Sequence, residues 1–320
     1  MTAVTTTLSP AADARLRRGL AAVCMAAGIE PQHPQLLKYT INAVYRVGDC
    51  VVRLARGSLA EARAARVVRV AEEFTRRGVP VVRLVDGIDQ PIRTDGWVAT
   101  VWIHVPTTGE RPHPAQLAGP LRAIHAIDDV RLDLPAWTPI AKARQRLDST
   151  QQLPAAEASF TQTWARSRLD RSVADVLAFL SDWCDRLDEQ LRTIAWHLRP
   201  GVIHGDFHTG NGLVQRGMPP VLCDLDGVAI GPREWDLTPI AHGAERFGRP
   251  PEDYQAFAAE YGFDITGWAG WPVLRDVREL QLVTSVLDNI TGRPDVAEQL
   301  ALRLNSILKG DRTVVWTRYR

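Results

Sequence analysis

The stretch Val202-Ile203-His204-Gly205-Asp206-Phe207-His208-Thr209-Gly210-Asn211, followed thirteen residues after Asn211 by Asp224 in Cys223-Asp224-Leu225-Asp226-Gly227, constrains this chain more than any other feature. A short apolar run ends in an acid, turns, and an Asn arrives five positions after that acid. Glycine and short turn residues between Asp206 and Asn211 let the backbone fold back, so that both side chains point into one place. Asp224, at the end of a second short apolar run, faces the same point. A lone His-Gly-Asp is any surface turn. The full spacing, with Gly231, Pro232 and Asp236 downstream, is much more specific.

The chain around this motif changes character along its length. Ser9 as N-cap and Pro10 at the first helical position open a helix whose stripe is Leu16, Leu20, Val23 and Ala27, ending at Gly28. Ala43–Val47 and Cys50–Leu54 read as a tight hairpin across Gly48 and Asp49. A helix follows from Ser58, with Glu61 at capping-box spacing, through Val67, Val70, Ala71 and Phe74 to Gly78. Pro80–Val85 and Trp97–Val105 read as strands divided by Asp86, Gly87, Asp95 and Gly96. Beyond Pro106, Thr107, Thr108 and Gly109 helical periodicity takes over: in Leu117–Ile127, in Arg144–Leu147, and on one face of Val173, Val176, Leu177, Leu180, Cys184, Leu187, Leu191 and Ile194. Short apolar runs return at Gly201–His204, Gly212–Val214 and Val221–Asp224, then helices resume to about Lys309. Thr313–Trp316 is strand-like and has no evident partner. The division falls at residues 1–105, a small sheet with its leading helix 10–28, and 106–320, mostly helical.

Composition narrows the class. At 320 residues, two domains are expected from the usual ~150 residues each. No apolar run approaches the ~18 residues of a bilayer span, and Met1–Pro10 has neither a basic nor an apolar leader region, so a cytoplasmic protein without a membrane partner is expected. Cys24, Cys50, Cys184 and Cys223 show no paired spacing and read as reduced thiols. A net charge of +1 argues against nucleic acid as a partner. The distribution is less even: from Asp224 to Asn289 twelve acids face five arginines, a net −7, leaving +8 elsewhere. That polarity suits a polyanion bound towards the front and a cation or metal towards the back; acidic, solvated helix faces account for it equally well.

The motif's residue types specify a chemistry. Phosphoryl transfer from a nucleotide needs a carboxylate to receive the acceptor's proton and two oxygen ligands to hold magnesium on the phosphates. Asp206, Asn211 and Asp224 supply these. With Gly231-Pro232-Arg233-Glu234-Trp235-Asp236-Leu237 they resemble the signature of the aminoglycoside phosphotransferase family, relatives of choline kinases and distant relatives of protein kinases. The resemblance covers most of the chain and implies an α+β, two-lobed protein-kinase-like fold: a small sheet lobe of about residues 30–105, a larger helical lobe, and nucleotide and Mg2+ in the cleft between. It implies Asp206 as catalytic base, Asn211 and Asp224 as magnesium ligands, and Asp236 as a buried acid bracing the catalytic loop. The chain from Trp102 through His104 to Val105 becomes the hinge meeting the nucleotide base, and Thr40, Ile41 and Asn42 the turn over the phosphates, here without a glycine-rich pattern. The implied reaction moves the γ-phosphoryl group of ATP or GTP to a hydroxyl of a small, cationic acceptor, either an aminoglycoside-like antibiotic, with resistance as the consequence, or an amino-alcohol or sugar metabolite.

Two positions depart from the pattern. Arg53, in Val51-Val52-Arg53-Leu54, stands where protein kinases and many relatives carry a phosphate-binding Lys; it keeps the charge but offers a planar fork. Glu61 is the candidate acid to pair with it, yet the capping box explains Glu61 as well. These departures favour a rival, a catalytically silent nucleotide-binding module, against which Asp206, Asn211 and Asp224 count. A third reading is a zinc hydrolase, since His204, Asp206 and His208 alternate and share a face on an extended segment. It leaves Asn211, Asp224 and Asp236 without roles. Otherwise His208 reads as a loop residue, His204 as bonded to a backbone carbonyl, and Asp226 as a turn residue. Trp235, Tyr261, Trp268 and Trp271 read as core before acceptor wall, and Glu245, Asp276, Glu279 and Asp288 as solvated helix faces before ammonium ligands.

Overall fold

The computed structural model describes residues 9–39, 42–129 and 132–319. In chain order the elements are α1 (Pro10–Ala26), β1 (Gln35–Tyr39), β2 (Ala43–Val47), β3 (Cys50–Arg56), α2 (Ser58–Arg76), β4 (Ile92–Thr94), β5 (Trp97–Ile103) and α3 (Pro114–His125). Then come α4 (Pro139–Gln151), α5 (Ala155–Leu169), α6 (Val173–Thr193), β6 (Gly201–Ile203), β7 (Gly212–Gln215), β8 (Met218–Leu222) and β9 (Ala229–Gly231). The chain closes with α7 (Glu234–Arg246), α8 (Pro251–Tyr261), α9 (Trp271–Thr284) and α10 (Pro294–Leu308). They form two compact units: Met1–Pro135 with His208–Ala229, and Ala136–Phe207 with Ile230–Arg320.

The first unit is built on an antiparallel sheet in the order β1-β2-β3-β5-β4. Gly48 at φ +58 gives the positive backbone angle that a two-residue loop requires, which sets the register Val47↔Cys50 and Arg53 opposite Val44 and Thr100. α1, capped as expected by Ser9 Oγ, packs Leu16, Leu20, Val23 and Cys24 against Tyr45, Val52, Leu54, Trp97 and Val101. α2 buries the Val67, Val70, Ala71 and Phe74 stripe. Its N-cap is Gly57, not Ser58, so the capping box does not form. Pro80–Val85 is not a strand: Val81 and Leu84 make single bridges, to Leu222 and Trp102, and the edge strand is β4 instead. The bridge to Leu222, with Val82 N–H donating to the Leu222 carbonyl at 2.9 Å and Leu222 N–H to that of Pro80, ties the β7–β8 hairpin to this unit. The unit therefore extends past residue 106 and takes back residues 208–229.

In the second unit α4, α6 and α9 pack on one another, and α9 also on α7 and α10. The α6 stripe predicted from the sequence is the buried one, through Val176, Leu180, Cys184 and Leu187. The strand-like Thr313–Trp316 pairs with no strand among the described residues. Its Trp316 is buried, with the Arg246 and Arg303 guanidinium groups over its ring at 4.7 and 5.1 Å. All four cysteines are free thiols. No helix among the described residues is long and apolar enough to cross a membrane.

Candidate active site

Each unit carries part of the motif. In the second unit, β6 ends at Ile203 and the chain turns at Gly205, φ +81, a backbone angle that suits glycine. Asp236, buried in the first turn of α7, accepts the N–H of His204 at 2.6 Å and of Gly205 at 2.8 Å on its two carboxylate oxygens. Trp235 Nε1 donates to the Gly205 carbonyl at 3.0 Å. The peptide groups leading into Asp206 are thus held by three hydrogen bonds from one helical turn. Glu234, beside them, accepts the N–H of His197 (2.8 Å) and Leu198 (2.7 Å) on one oxygen, a second brace with no signal in the sequence. Negative charge there also suits the positive end of the α7 dipole. Asp206 itself keeps 48% of its side chain exposed, and Arg278 Nη1 of α9 stands 3.7 Å from its Oδ1.

In the first unit, Asn211 is buried, and the N–H of Cys223 donates to its carbonyl at 2.8 Å, fastening Asn211 beside the residue that precedes Asp224. Gly212 follows because a side chain there would strike Leu117 and Pro112. Asp224 adopts φ +64, a left-handed conformation rare outside glycine and found where the chain must aim a side chain against its preference. The short helical turn Leu225–Gly227 then carries Asp226. Asp226 is not a plain turn residue: its carboxylate takes Arg53 in a two-pronged pair, Nη1 to Oδ1 at 2.9 Å and Nη2 to Oδ2. The Asn42 amide oxygen, oriented by its partners, accepts from Arg53 Nε at 3.0 Å. Burial lowers the Arg53 pKa, but Asp226 and Asp224 more than restore it, and the group stays charged.

The structure separates other candidates. Glu61 neither caps α2 nor meets Arg53; exposed, it pairs with Arg93, because Asp226 already occupies both ends of the Arg53 fork. Trp102 is buried with its indole N–H on Thr100 Oγ1 (2.9 Å), and the His104 N–H donates to the Asp49 carbonyl at 2.8 Å. Burial pushes the His104 imidazole pKa down. Thr40 and Ile41 lie outside the described residues. His208 Nδ1 accepts the Gly210 N–H at 2.9 Å, the loop role, and among the described residues no group of three or more His, Cys, Asp or Glu could hold a metal ion, so the His204, Asp206, His208 zinc site does not form. Trp235 and Trp271 are core, and Trp271 Nε1 donates to Glu245 at 2.9 Å. The acidic segment is largely consumed internally. Asp276 pairs with Arg275 and Arg312, Glu279 with Arg246 and Arg312, and Asp264 accepts from Tyr254.

Asn211 and Asp224 present hard oxygen donors of the kind magnesium takes, and no soft or aromatic nitrogen donor competes in that pair.

Comparison with known proteins identifies the family and the fold. The family model described as "Phosphotransferase enzyme family" matches residues 35–276. Among solved structures, an amicoumacin kinase in complex with AMP-PNP, Ca2+ and Ami is 14% identical, with 95% of this chain and 96% of that chain covered and a TM-score of 0.64. A spectinomycin phosphotransferase in complex with ADP and spectinomycin is 16% identical over 93% and 92% of the two chains, with a TM-score of 0.60. The choline kinase LicA from Streptococcus pneumoniae is 12% identical over 91% and 99%, with a TM-score of 0.61. No curated protein matches the chain. The kinase-like α+β fold is therefore common to all of them, and by the match over residues 35–276 this chain belongs to the phosphotransferase enzyme family.

Proposed function

We propose that the chain transfers the γ-phosphoryl group of ATP or GTP to a hydroxyl of a small molecule. Asp206 accepts the hydroxyl proton as the hydroxyl oxygen bonds to the γ-phosphorus; the bond from that phosphorus to the bridging β–γ oxygen breaks, and the nucleoside diphosphate leaves. Mg2+, held by Asn211 and Asp224, supplies neutralisation of the phosphate charge when bound. Arg53, kept in place by Asp226 and Asn42, points charge at the phosphates. Structural relatives bound to spectinomycin or kanamycin, and a choline kinase, support an acceptor among small hydroxylated molecules.

The observation that carries this reading is the grip of Asp236 on the His204 and Gly205 amides, which holds the loop rigid while leaving Asp206 half exposed. A base aimed at a substrate needs both. The silent-module rival drew on Arg53 in place of a Lys, on the doubtful Glu61 and on the missing glycine-rich turn; the Asp226 carboxylate gives Arg53 the acid partner that Glu61 does not. Replacing Asp206 with Asn tests the reading. Magnesium-dependent nucleotide binding should persist while turnover falls by about 10³-fold, within the range of general-base catalysis. Full turnover by Asp206→Asn, or turnover undiminished by chelation of divalent ions, would refute it.

A further inference from the structure

On α9, directly beside Asp206, the second unit carries a cation that neither the proton transfer nor the metal uses. Arg278 is only 13% exposed, its Nη1 is 2.5 Å from Gln281 Oε1, and the same nitrogen is 3.7 Å from Asp206 Oδ1. That last separation is beyond a hydrogen bond. Behind it, Arg146 of α4 donates to the Gln281 carbonyl at 3.2 Å and approaches Thr284 Oγ1 at 3.5 Å, so one glutamine anchors two guanidinium groups. Burial lowers the pKa of both, and each is discouraged further or relieved only by neighbours already named: Arg278 by Asp206, Arg146 by Asp288 against Arg278 itself. Of the acids around them, Asp276 and Glu279 are spent on Arg275, Arg246 and Arg312, Asp288 offsets Arg146, and Asp206 faces Arg278.

We propose that Arg278, backed by Arg146, binds an anionic group of the acceptor, a carboxylate placed next to the hydroxyl that Asp206 deprotonates. The inference rests on the phosphotransfer reading above and names its substrate class: hydroxy acids and hydroxylated amino acids, in place of acceptors whose only charge is an ammonium group. A guanidinium left with a carboxylate just out of hydrogen-bond range is completed by one more oxygen, and a carboxylate fits its fork.

Two measurements on the full chain test this. Malonate, titrated into the wild type with Mg2+ and a non-hydrolysable nucleotide, should raise the melting temperature saturably; Arg278→Gln should weaken that binding at least tenfold and Arg278→Lys by less. Absence of malonate binding, or equal binding to Arg278→Gln, overturns the proposal. In nucleotide-consumption assays, glycerate against glycerol and serine against serinol should show at least tenfold lower KM for the carboxylate member, and Arg278→Gln should erase the preference. An equal loss of kcat on both members, with preference intact, would overturn it and put Arg278 on the transferred phosphoryl group. The phosphotransfer reading fails separately, if Asp206→Asn retains full turnover, and malonate binding is readable in either case.

Discussion

Replacing Asp236 with Asn changes one atom of the brace and should cost a large share of the stability of the fold. The two carboxylate oxygens accept from His204, which is buried, and from Gly205, which is partly buried. In Asn, one position becomes an NH2 facing an N–H. That charged bond, about 2 kcal/mol, is lost and leaves a buried donor against a donor. The other falls from a charged to a neutral bond, about 1 kcal/mol. The first turn of α7 also loses a negative charge, about 0.5 kcal/mol at a helix N-terminus. The expected loss is about 3–4 kcal/mol, against total stabilities of about 5–15 kcal/mol for folded proteins. Urea unfolding followed by tryptophan fluorescence is the assay, because Trp235 is bonded to the same loop through the Gly205 carbonyl. Activity should fall too, since shifting a catalytic group by about 1 Å costs about 10²-fold. A loss under about 1 kcal/mol with an unchanged denaturant slope would refute the reasoning.

Two further perturbations follow from the same contacts. Arg53→Lys replaces a fork bonded at 2.9 Å to Asp226 by a single point donor; the nucleotide KM should rise about tenfold, or about 1.4 kcal/mol, with kcat changed less, and an unmoved KM would remove Arg53 from nucleotide binding. Stability should fall in two stages on acidification. Burial holds the His242 imidazole down to about 4 from its ordinary 6.5, and at 3.6 Å Glu279 is too far to restore it by a hydrogen bond. The unfolded chain then takes up a proton that the folded one refuses, so the contribution is present above pH 6.5 and lost from 6.5 towards 4. Burial works to raise Glu279, but Arg246 and Arg312, in direct contact with it, hold it down to about 2, so its contribution is lost only between about 4.5 and 2. Melting temperature should drop between pH 7 and 5.5, and His242→Gln should flatten that part of the curve; a flat wild-type profile there would sink the assignment.

What the sequence could and could not show divides along chain distance. Ser9, Gly48 and the α6 stripe act on residues within a few positions of themselves, and the elements they specify were legible. So was the Asp206 loop, because its geometry is set by five residues of backbone and one acid thirty positions on. Pro80–Val85 has strand composition but meets β5 only around Trp102, while β4 takes the Trp97–Ala99 end of the same strand, a division between distant segments that no local pattern records. The capping box failed for the opposite reason. Gly57 preceded it and took the cap, leaving Ser58 inside the helix and Glu61 free to turn to Arg93.

The two acids at 224 and 226 show why roles within the site were harder to read than its location. Two residues apart, on a regular strand they would share a face and compete for one partner. The left-handed backbone at Asp224 breaks that alternation. It keeps Asp224 by Asn211, whose carbonyl is bonded to Cys223, and releases Asp226 to Arg53, 173 positions away in sequence. One backbone angle thereby separates a pair of like charges, leaving Asp224 beside Asn211, where the proposed metal would bind, and Asp226 on Arg53. A β-branched residue at 224 would not hold that angle without strain, so Asp224→Val should release Asp226 from Arg53 as well as remove an oxygen ligand. Asp224→Asn, which tolerates the angle, should remove the ligand's charge alone. If both variants left the Arg53→Lys penalty on nucleotide KM unchanged, the backbone at 224 would not be what divides the two roles.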